Sequence, residues 1–196
     1  MFHDMPEEIK ERMAYLESLD SVQRSDSTEA KERLRQIPPE TGRFLAILAT
    51  CVPSGTYLEI GTSGGYSALW ISLACQKLDR KLVTFEIDED KVRIAKETFR
   101  VAGVEGIIDL VHGDARDRIN NYQDISFCFL DAEKEIYLEC YEKIIPNMVR
   151  GGILIADNVI SHRDILSKFI DRALGDDRID GVVVPIGSGE LVGRRR

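Results

Sequence analysis

Short apolar runs alternate with longer stretches of helical periodicity along most of this chain. TYLEI (56–60), KLVTFEI (81–87), IIDLV (107–111), ISFCFLD (125–131) and GILIAD (152–157) have the length and content of buried strands. Between them, Tyr66, Leu69, Trp70 and Leu73 share one helical face over 65–78, and Val92, Ala95, Phe99 and Ala102 share one over 88–102. A polar loop and a short helix follow the third run. Tyr137, Tyr141, Ile144, Ile145 and Met148 predict a helix over 134–149, with Pro146 kinking its end. Ile165, Phe169, Ile170 and Leu174 predict another, opened by a Ser161–Asp164 capping box. GVVVPIG and ELVGRRR flank Ser188-Gly189 and read as a β-hairpin. Strands alternating with helices imply a mostly parallel sheet covered on both faces, to which the hairpin adds an antiparallel strand.

Upstream, residues 1–20 read as a helix. Asp4 and Glu7 form a capping-box pattern, and Ile9, Met13 and Leu16 keep a helical period. A polar linker follows over 21–36, with helical character in its second half. IPPETGRFLAILATCV (37–52) breaks at its prolines, then runs as a short apolar helix that Pro53-Ser54-Gly55 ends. This gives a helical extension over 1–35 appended to one domain over 36–196.

Composition narrows the class. A chain of 196 residues, 43% hydrophobic and 31% charged, fits one globular domain with a sizeable core. No window approaches 18 consecutive apolar residues, so a membrane span is not expected. The acidic N-terminus lacks the apolar core of a secretory signal, which points to the cytoplasm. A formal charge of −8 speaks against a broad nucleic-acid surface, and Arg194-Arg195-Arg196 reads as a solvated basic tip. Cys51, Cys75, Cys128 and Cys140 lie in apolar segments without C-x-x-C spacing, as expected of buried free thiols. His3, His112 and His162 are scattered, so neither a structural zinc site nor a helical histidine pair is expected.

The first strand-to-helix turn, YLEIGTSGGYSALW, carries Gly61, Gly64 and Gly65. Such a turn lets backbone N–H groups approach a ligand. Its spacing departs from G-x-G-x-x-G, so it fails the dinucleotide fingerprint. Glu86 ends the next strand, where an acid can accept hydrogen bonds from ribose hydroxyls. Gly61, Glu86, HGDA (112–115), Asp131 and Asp157 all follow strands and so fall on the ligand-binding edge of a parallel sheet.

Asp131 and Asp157-Asn158 end the fourth and fifth strands. If these strands are neighbours, two carboxylates and an amide oxygen meet as ligands for a hard divalent cation such as Mg²⁺. The plainer reading of each residue alone is a helix cap or a loop residue. Lys134, three residues after Asp131, is a candidate general base beside that cation.

At these residues the sequence resembles the cation-dependent O-methyltransferases, the family of catechol and caffeoyl-CoA O-methyltransferases. LEIGTSGGYSA, FEID, HGDA, FLDAEK with Tyr137 after it, GGILIADNVI and PIGSGELV carry the resemblance, in this order, from about Arg35 to the end. The resemblance implies an α/β, Rossmann-like methyltransferase fold with a seven-stranded, mostly parallel sheet and a C-terminal antiparallel hairpin. It implies S-adenosylmethionine as cofactor and Mg²⁺ or another divalent cation. Glu59, Gly61, Thr62 and Ser67 would contact the cofactor's amino-acid part and Glu86 its ribose. Ala115 would border the adenine, and Ile37 would close over the cofactor. Asp131, Asp157 and Asn158 match the metal ligands, with Asp131 also bordering the cofactor. Lys134 matches the catalytic lysine. The acceptor would be a small vicinal-dihydroxy aromatic and the assembly a homodimer.

Two departures bear on the acceptor. The plant members carry an insertion after Asn158, whereas VISHRDILSKF runs straight into a helix. The acceptor pocket is then open, or finished by the N-terminal segment or a second subunit, with His162 and Arg163 on its rim or simply solvated. The acid that grips the second hydroxyl in the catechol enzyme has no clear match; Asp180 lies only nearby. Other readings are a tRNA hydroxyuridine O-methyltransferase of the same family, a nicotinamide-dependent oxidoreductase, and a cofactor-binding protein without catalysis.

Overall fold

The structure, a computed structural model, describes residues 1–29 and 32–196. One sheet holds seven strands: β1 (Thr56–Ile60), β2 (Leu82–Glu86), β3 (Ile108–His112), β4 (Ile125–Leu130), β5 (Met148–Ala156), β6 (Ile179–Val184) and β7 (Glu190–Arg195). Their order is β3-β2-β1-β4-β5-β7-β6. Only β7 runs antiparallel to its neighbours, as the hairpin pattern predicts. The order reverses between β1 and β4, the switch point where open parallel sheets bind ligands.

The helices are α1 (Glu7–Ser25), α2 (Pro39–Ala49), α3 (Tyr66–Leu78), α4 (Glu89–Val101), α5 (Tyr137–Ile144) and α6 (Arg163–Leu174). Side-chain alternation along the strands sorts the core into two layers. Tyr57, Phe127, Phe129 and Ile155 join the layer with residues of α1 to α4. Leu58, Ile60, Cys128, Leu130 and Leu154 join the layer with residues of α5 and α6. The central strands are buried on both faces, which is why they read as unbroken apolar runs. Burial of each such side chain contributes roughly 1.5–3 kcal/mol.

The first helix is docked by specific contacts. Ile9, Met13 and Leu16 enter the α1–α4 layer. The Arg12 guanidinium donates to Thr98 Oγ1 on α4 at 2.9 and 3.1 Å, and the Tyr66 hydroxyl donates to Glu17. Phe2 meets Trp70 edge-on, ring centroids 5.8 Å apart. Trp70 in turn packs on Gly42 of α2; a Cβ there would lie 2.6 Å from Trp70 Cγ, so only glycine lets α2 and α3 approach this closely.

Several local expectations are corrected. Neither capping box forms. Pro6 precedes α1 without a side-chain cap, and Asp4 faces the Met1 amine at 3.7 Å. Ser161 Oγ pairs with His162 Nδ1 at 2.9 Å, and His162 is the uncapped N-cap of α6. α1 runs on to Ser25, and no described residue of 26–36 is helical; positions 30 and 31 of that stretch lie outside the described residues. The helix expected over 134–149 is a 3₁₀ turn (Lys134–Ile136), α5, and a second 3₁₀ turn (Ile145–Asn147), and β5 already begins at Met148. Pro146 cannot donate an α-helical hydrogen bond, and Met148 pairs with Ile125 on β4. Cys75, Cys128 and Cys140 are buried thiols as expected, whereas Cys51 is exposed at the end of α2.

Candidate active site

Backbone hydrogen bonds run in a row across the carboxyl ends of the parallel strands. The Gly113 N–H donates to Glu86 O (2.8 Å), Gly61 to Phe85 O (3.0 Å), Asp131 to Ile60 O (2.9 Å) and Asp157 to Leu130 O (3.0 Å). Each donor is the first residue past its strand. The ladder thus brings the glycine turn, HGDA, Asp131 and Asp157 onto one edge, as the strand-end argument predicts.

The turn after β1 needs left-handed backbone at Gly61 (φ 98°), Ser63 (φ 48°) and Gly65 (φ 89°). Gly65 then forms the N-cap of α3. Glu86 folds onto this turn: it accepts from the Ser63 N–H at 2.7 Å and from the Ile87 and Asp88 N–H groups at 2.9 and 3.0 Å. The chain before α2 drapes over the same turn. Ser63 Oγ donates to Leu34 O (2.7 Å), Leu34 packs over Gly64, and Arg35 reaches Glu133 at 2.5 Å. Ile37 is buried in the same core layer as Leu34.

Glu59 points into the core from β1 and is 0% exposed. Thr62 Oγ1 and Thr84 Oγ1 lie 2.6 Å apart, and Thr84 donates to Glu59 Oε2, a short relay ending on the acid. Burial pushes its carboxyl up to about 7, against hydrogen bonds from Ser67 and Thr84 that hold it down. The other oxygen, Oε1, is buried with no partner among the described residues. An orphaned acceptor at the glycine turn fits a ligand that brings a donor, such as the ammonium of an amino-acid moiety. Ala115 is buried at the start of a 3₁₀ turn that Asp114 caps through the Arg116 N–H.

Strands β4 and β5 are neighbours, so Asp131 and Asp157 lie side by side just past their ends, with Asn158 next along the chain. Asp157 Oδ1 accepts from the Asn158 N–H at 2.5 Å, and Asn158 adopts left-handed backbone (φ 67°). Lys134 Nζ donates to Asp131 Oδ1 (3.2 Å), to Ala132 O (2.8 Å) and to the Tyr137 hydroxyl (3.0 Å), which donates to Asp157 O (3.2 Å). Burial and the Asp131 charge push the Asp157 carboxyl up. Two hard carboxylates and an amide oxygen, with negative charge crowded enough to raise one acid, suit a divalent cation. Among the described residues no group of three or more His, Cys, Asp or Glu side chains converges on a metal site.

Sequence reasoning missed Glu190, Arg35 and Glu133. Glu190 opens β7 and is 0% exposed; burial and the adjoining Asp157 charge push its carboxyl well up. An acid directly after a glycine and before an apolar strand was the available signal. Asp180 lies elsewhere: it is on β6, the sheet's outer strand, paired with Arg196 at 2.7 Å. His162 and Arg163 are exposed at the start of α6, beside a shallow surface depression. No helix among the described residues is long and apolar enough to cross a membrane.

A family model described as O-methyltransferase matches residues 10–196. A catechol O-methyltransferase of Mycobacterium tuberculosis is 31% identical over 137 residues, covering 69% of this chain and 62% of that protein. A caffeoyl-CoA O-methyltransferase of Medicago sativa is 26% identical over 181 residues, covering 80% and 73%. In three dimensions, the O-methyltransferase of Bacillus cereus in complex with SAH matches with a TM-score of 0.79 at 20% identity, covering 95% of this chain and 91% of that one.

Proposed function

Because the chain belongs to the O-methyltransferase family, we propose that it transfers the methyl group of S-adenosylmethionine to a hydroxyl of a small, vicinal-dihydroxy, catechol-like acceptor. What supports this reading is that Asp131, paired with Lys134, and Asp157, followed by Asn158, stand at the neighbouring ends of β4 and β5, next to the turn where Glu59 keeps an unpartnered oxygen. When bound, S-adenosylmethionine supplies an electrophilic methyl on a sulfonium, and Mg²⁺ or a similar cation supplies positive charge that favours an ionised hydroxyl.

The chain's own residues then have distinct tasks. Glu59 accepts a hydrogen bond from the cofactor's ammonium, with Thr62 and Ser67 holding that acid. Gly61 leaves room for close approach. Glu86 turns from the Ser63 N–H to the ribose hydroxyls. Ala115 borders the adenine, and Ile37 with its neighbours closes the cleft. Asp131, Asp157 and Asn158 hold the cation. Lys134 Nζ, an ammonium whose protons go to Asp131, Ala132 O and Tyr137, would release one to solvent as the cation takes up the Asp131 charge, and the neutral amine would then take the acceptor's proton, with Tyr137 helping to fix it in place. Alignment of the two reacting groups, with water kept out, supplies much of the rate.

The relatives named for catechol and caffeoyl-CoA support an aromatic acceptor, and the charge of −8 favours a small molecule over tRNA. The deciding measurement is methyl transfer from labelled S-adenosylmethionine to catechols, flavonoids and bulk tRNA, with Mg²⁺ and with a chelator. Transfer to a diol that stops on chelation and returns with Mg²⁺ supports the proposal. Transfer to tRNA alone would replace the acceptor, and chelator-resistant transfer would remove the cation. A thermal shift with NAD in place of S-adenosylmethionine would point to the oxidoreductase instead.

A further inference from the structure

Arg35 has no task in the scheme above, yet it stands at the glycine turn. Ser63 Oγ donates to Leu34 O (2.7 Å) and Leu34 packs over Gly64, so the next residue rises beside that turn. Glu133 lies on the other flank, two residues after Asp131, whose carbonyl abuts Gly61. Arg35 Nη2 donates to Glu133 Oε1 at 2.5 Å, and this is the side chain's one hydrogen bond among the described residues. The Asp131 and Glu86 charges bear on the guanidinium as well as that of Glu133. The Arg35 side chain is 47% exposed, and exposed ion pairs contribute little to stability. Its backbone is left-handed (φ 51°), which an L-residue adopts at a cost. Folding alone does not account for an arginine here.

The amino-acid part of S-adenosylmethionine carries a carboxylate as well as an ammonium. The free oxygen of Glu59 suits the ammonium, and no residue named so far meets the carboxylate. The strand-end edge is crowded with acids, so an incoming carboxylate needs a cation. Lys134 is committed to Asp131, Ala132 O and Tyr137. The Arg35 guanidinium keeps most of its planar fork unused, and that fork matches a carboxylate with two parallel hydrogen bonds. We infer that Arg35 is a further cofactor-binding residue: its guanidinium, aimed by Glu133, takes the carboxylate of the cofactor's amino-acid part. The inference rests on reading the chain as an S-adenosylmethionine-dependent enzyme. Lys91 is the rival. It stands in the first turn of α4, and its charge also acts on the Glu133 carboxyl. Its side chain is only 9% exposed, and an ammonium lacks the fork.

The test is calorimetric binding of S-adenosylhomocysteine and of its decarboxylated analogue, which keeps the ammonium and the adenosine. Wild type is compared with Arg35→Gln, Arg35→Lys and Lys91→Gln. Arg35→Gln is expected to bind S-adenosylhomocysteine about 10–100-fold more weakly, the scale of a hydrogen bond to a charged group. It should bind the analogue within about threefold of wild type, because no carboxylate is there to lose. Arg35→Lys keeps the charge without the fork and should recover part of the loss. Lys91→Gln should match wild type for both ligands. A wild-type preference for S-adenosylhomocysteine over the analogue in Arg35→Gln would overturn the inference. So would an equal loss for both ligands, which would make the Arg35–Glu133 pair a clasp on the chain before α2. A selective loss in Lys91→Gln alone would move the carboxylate to that residue. Wild type separates the two levels. If it binds S-adenosylhomocysteine, the cofactor reading stands whatever Arg35 does; if it binds neither ligand, both fall.

Discussion

Gly61→Ala tests how tightly the glycine turn is coupled to the acids beside it. At φ 98° an L-residue is strained, and a Cβ built there lies 2.8 Å from the Asp131 carbonyl carbon and closer still to its oxygen. Carbon atoms in contact sit about 3.5–4.0 Å apart, so the Asp131 backbone must retreat by roughly 1 Å. The left-handed backbone costs about 1–2 kcal/mol and the overpacking about 1–3 kcal/mol. Gly103→Ala is the matched control: φ is 67°, and nothing lies within 4 Å of the added Cβ. It carries the conformational cost alone. Urea unfolding should therefore place Gly61→Ala about 1–3 kcal/mol below Gly103→Ala. Because a misplacement of about 1 Å can cost on the order of 10²-fold in rate, methyl transfer should fall about that much in Gly61→Ala and be unchanged in Gly103→Ala. Equal unfolding midpoints and equal turnover in the two variants would refute the coupling of turn and acid.

Three further outcomes are expected. The Glu59 carboxyl is held up at about 7 from an ordinary 4.5, so the folded state binds the extra proton: its contribution is full below about 4.5 and is lost as pH rises through about 7. Glu59→Gln should flatten the melting-temperature profile across that window, by at most about 3 kcal/mol, and a parallel profile would contradict the assignment. Tyr137→Phe removes the hydroxyl between Lys134 and Asp157 O. It should cost about 1–3 kcal/mol in urea unfolding and lower kcat with Mn²⁺ affinity retained; loss of Mn²⁺ binding would show a different role. Asp176 is held below the ordinary carboxylate range by the Arg178 guanidinium, so its contribution is present above about 4 and lost as pH falls. Asp176→Asn should destabilise at neutral pH and leave turnover per folded molecule unchanged, and a drop in that turnover would tie it to the site.

The sheet and the placement of most candidate residues along its edge are legible because they depend on local pattern. Buried parallel strands are apolar runs, and the first polar residue past each run lies on the ligand edge. Asp131, Asp157 and Glu86 follow from that rule alone. What was illegible depends on long-range register or on competition at element ends. Glu190 reads as an ordinary hairpin residue until the β5–β7 pairing turns it toward Asp157. Arg35 and Glu133 are 98 positions apart, and nothing in either segment announces the other. The capping boxes failed because Pro6 and His162, not Asp4 and Ser161, take the N-cap positions. Met148 kept a helical spacing, yet its ladder to β4 prevailed once Pro146 had ended the helix.

The row of N–H donors past the strand ends makes the site a ruler. Neighbouring strands are about 4.8 Å apart, so the spacing between the glycine turn, Asp131 and Asp157 is graduated in strand widths and fixed by the sheet. Exposed side chains beyond that edge, such as Ser161, His162 and Arg163, can be exchanged without moving a graduation. Under the proposed function, evolution or an engineer could then change which acceptor is admitted by rewriting these side chains, and leave the cofactor and cation geometry untouched.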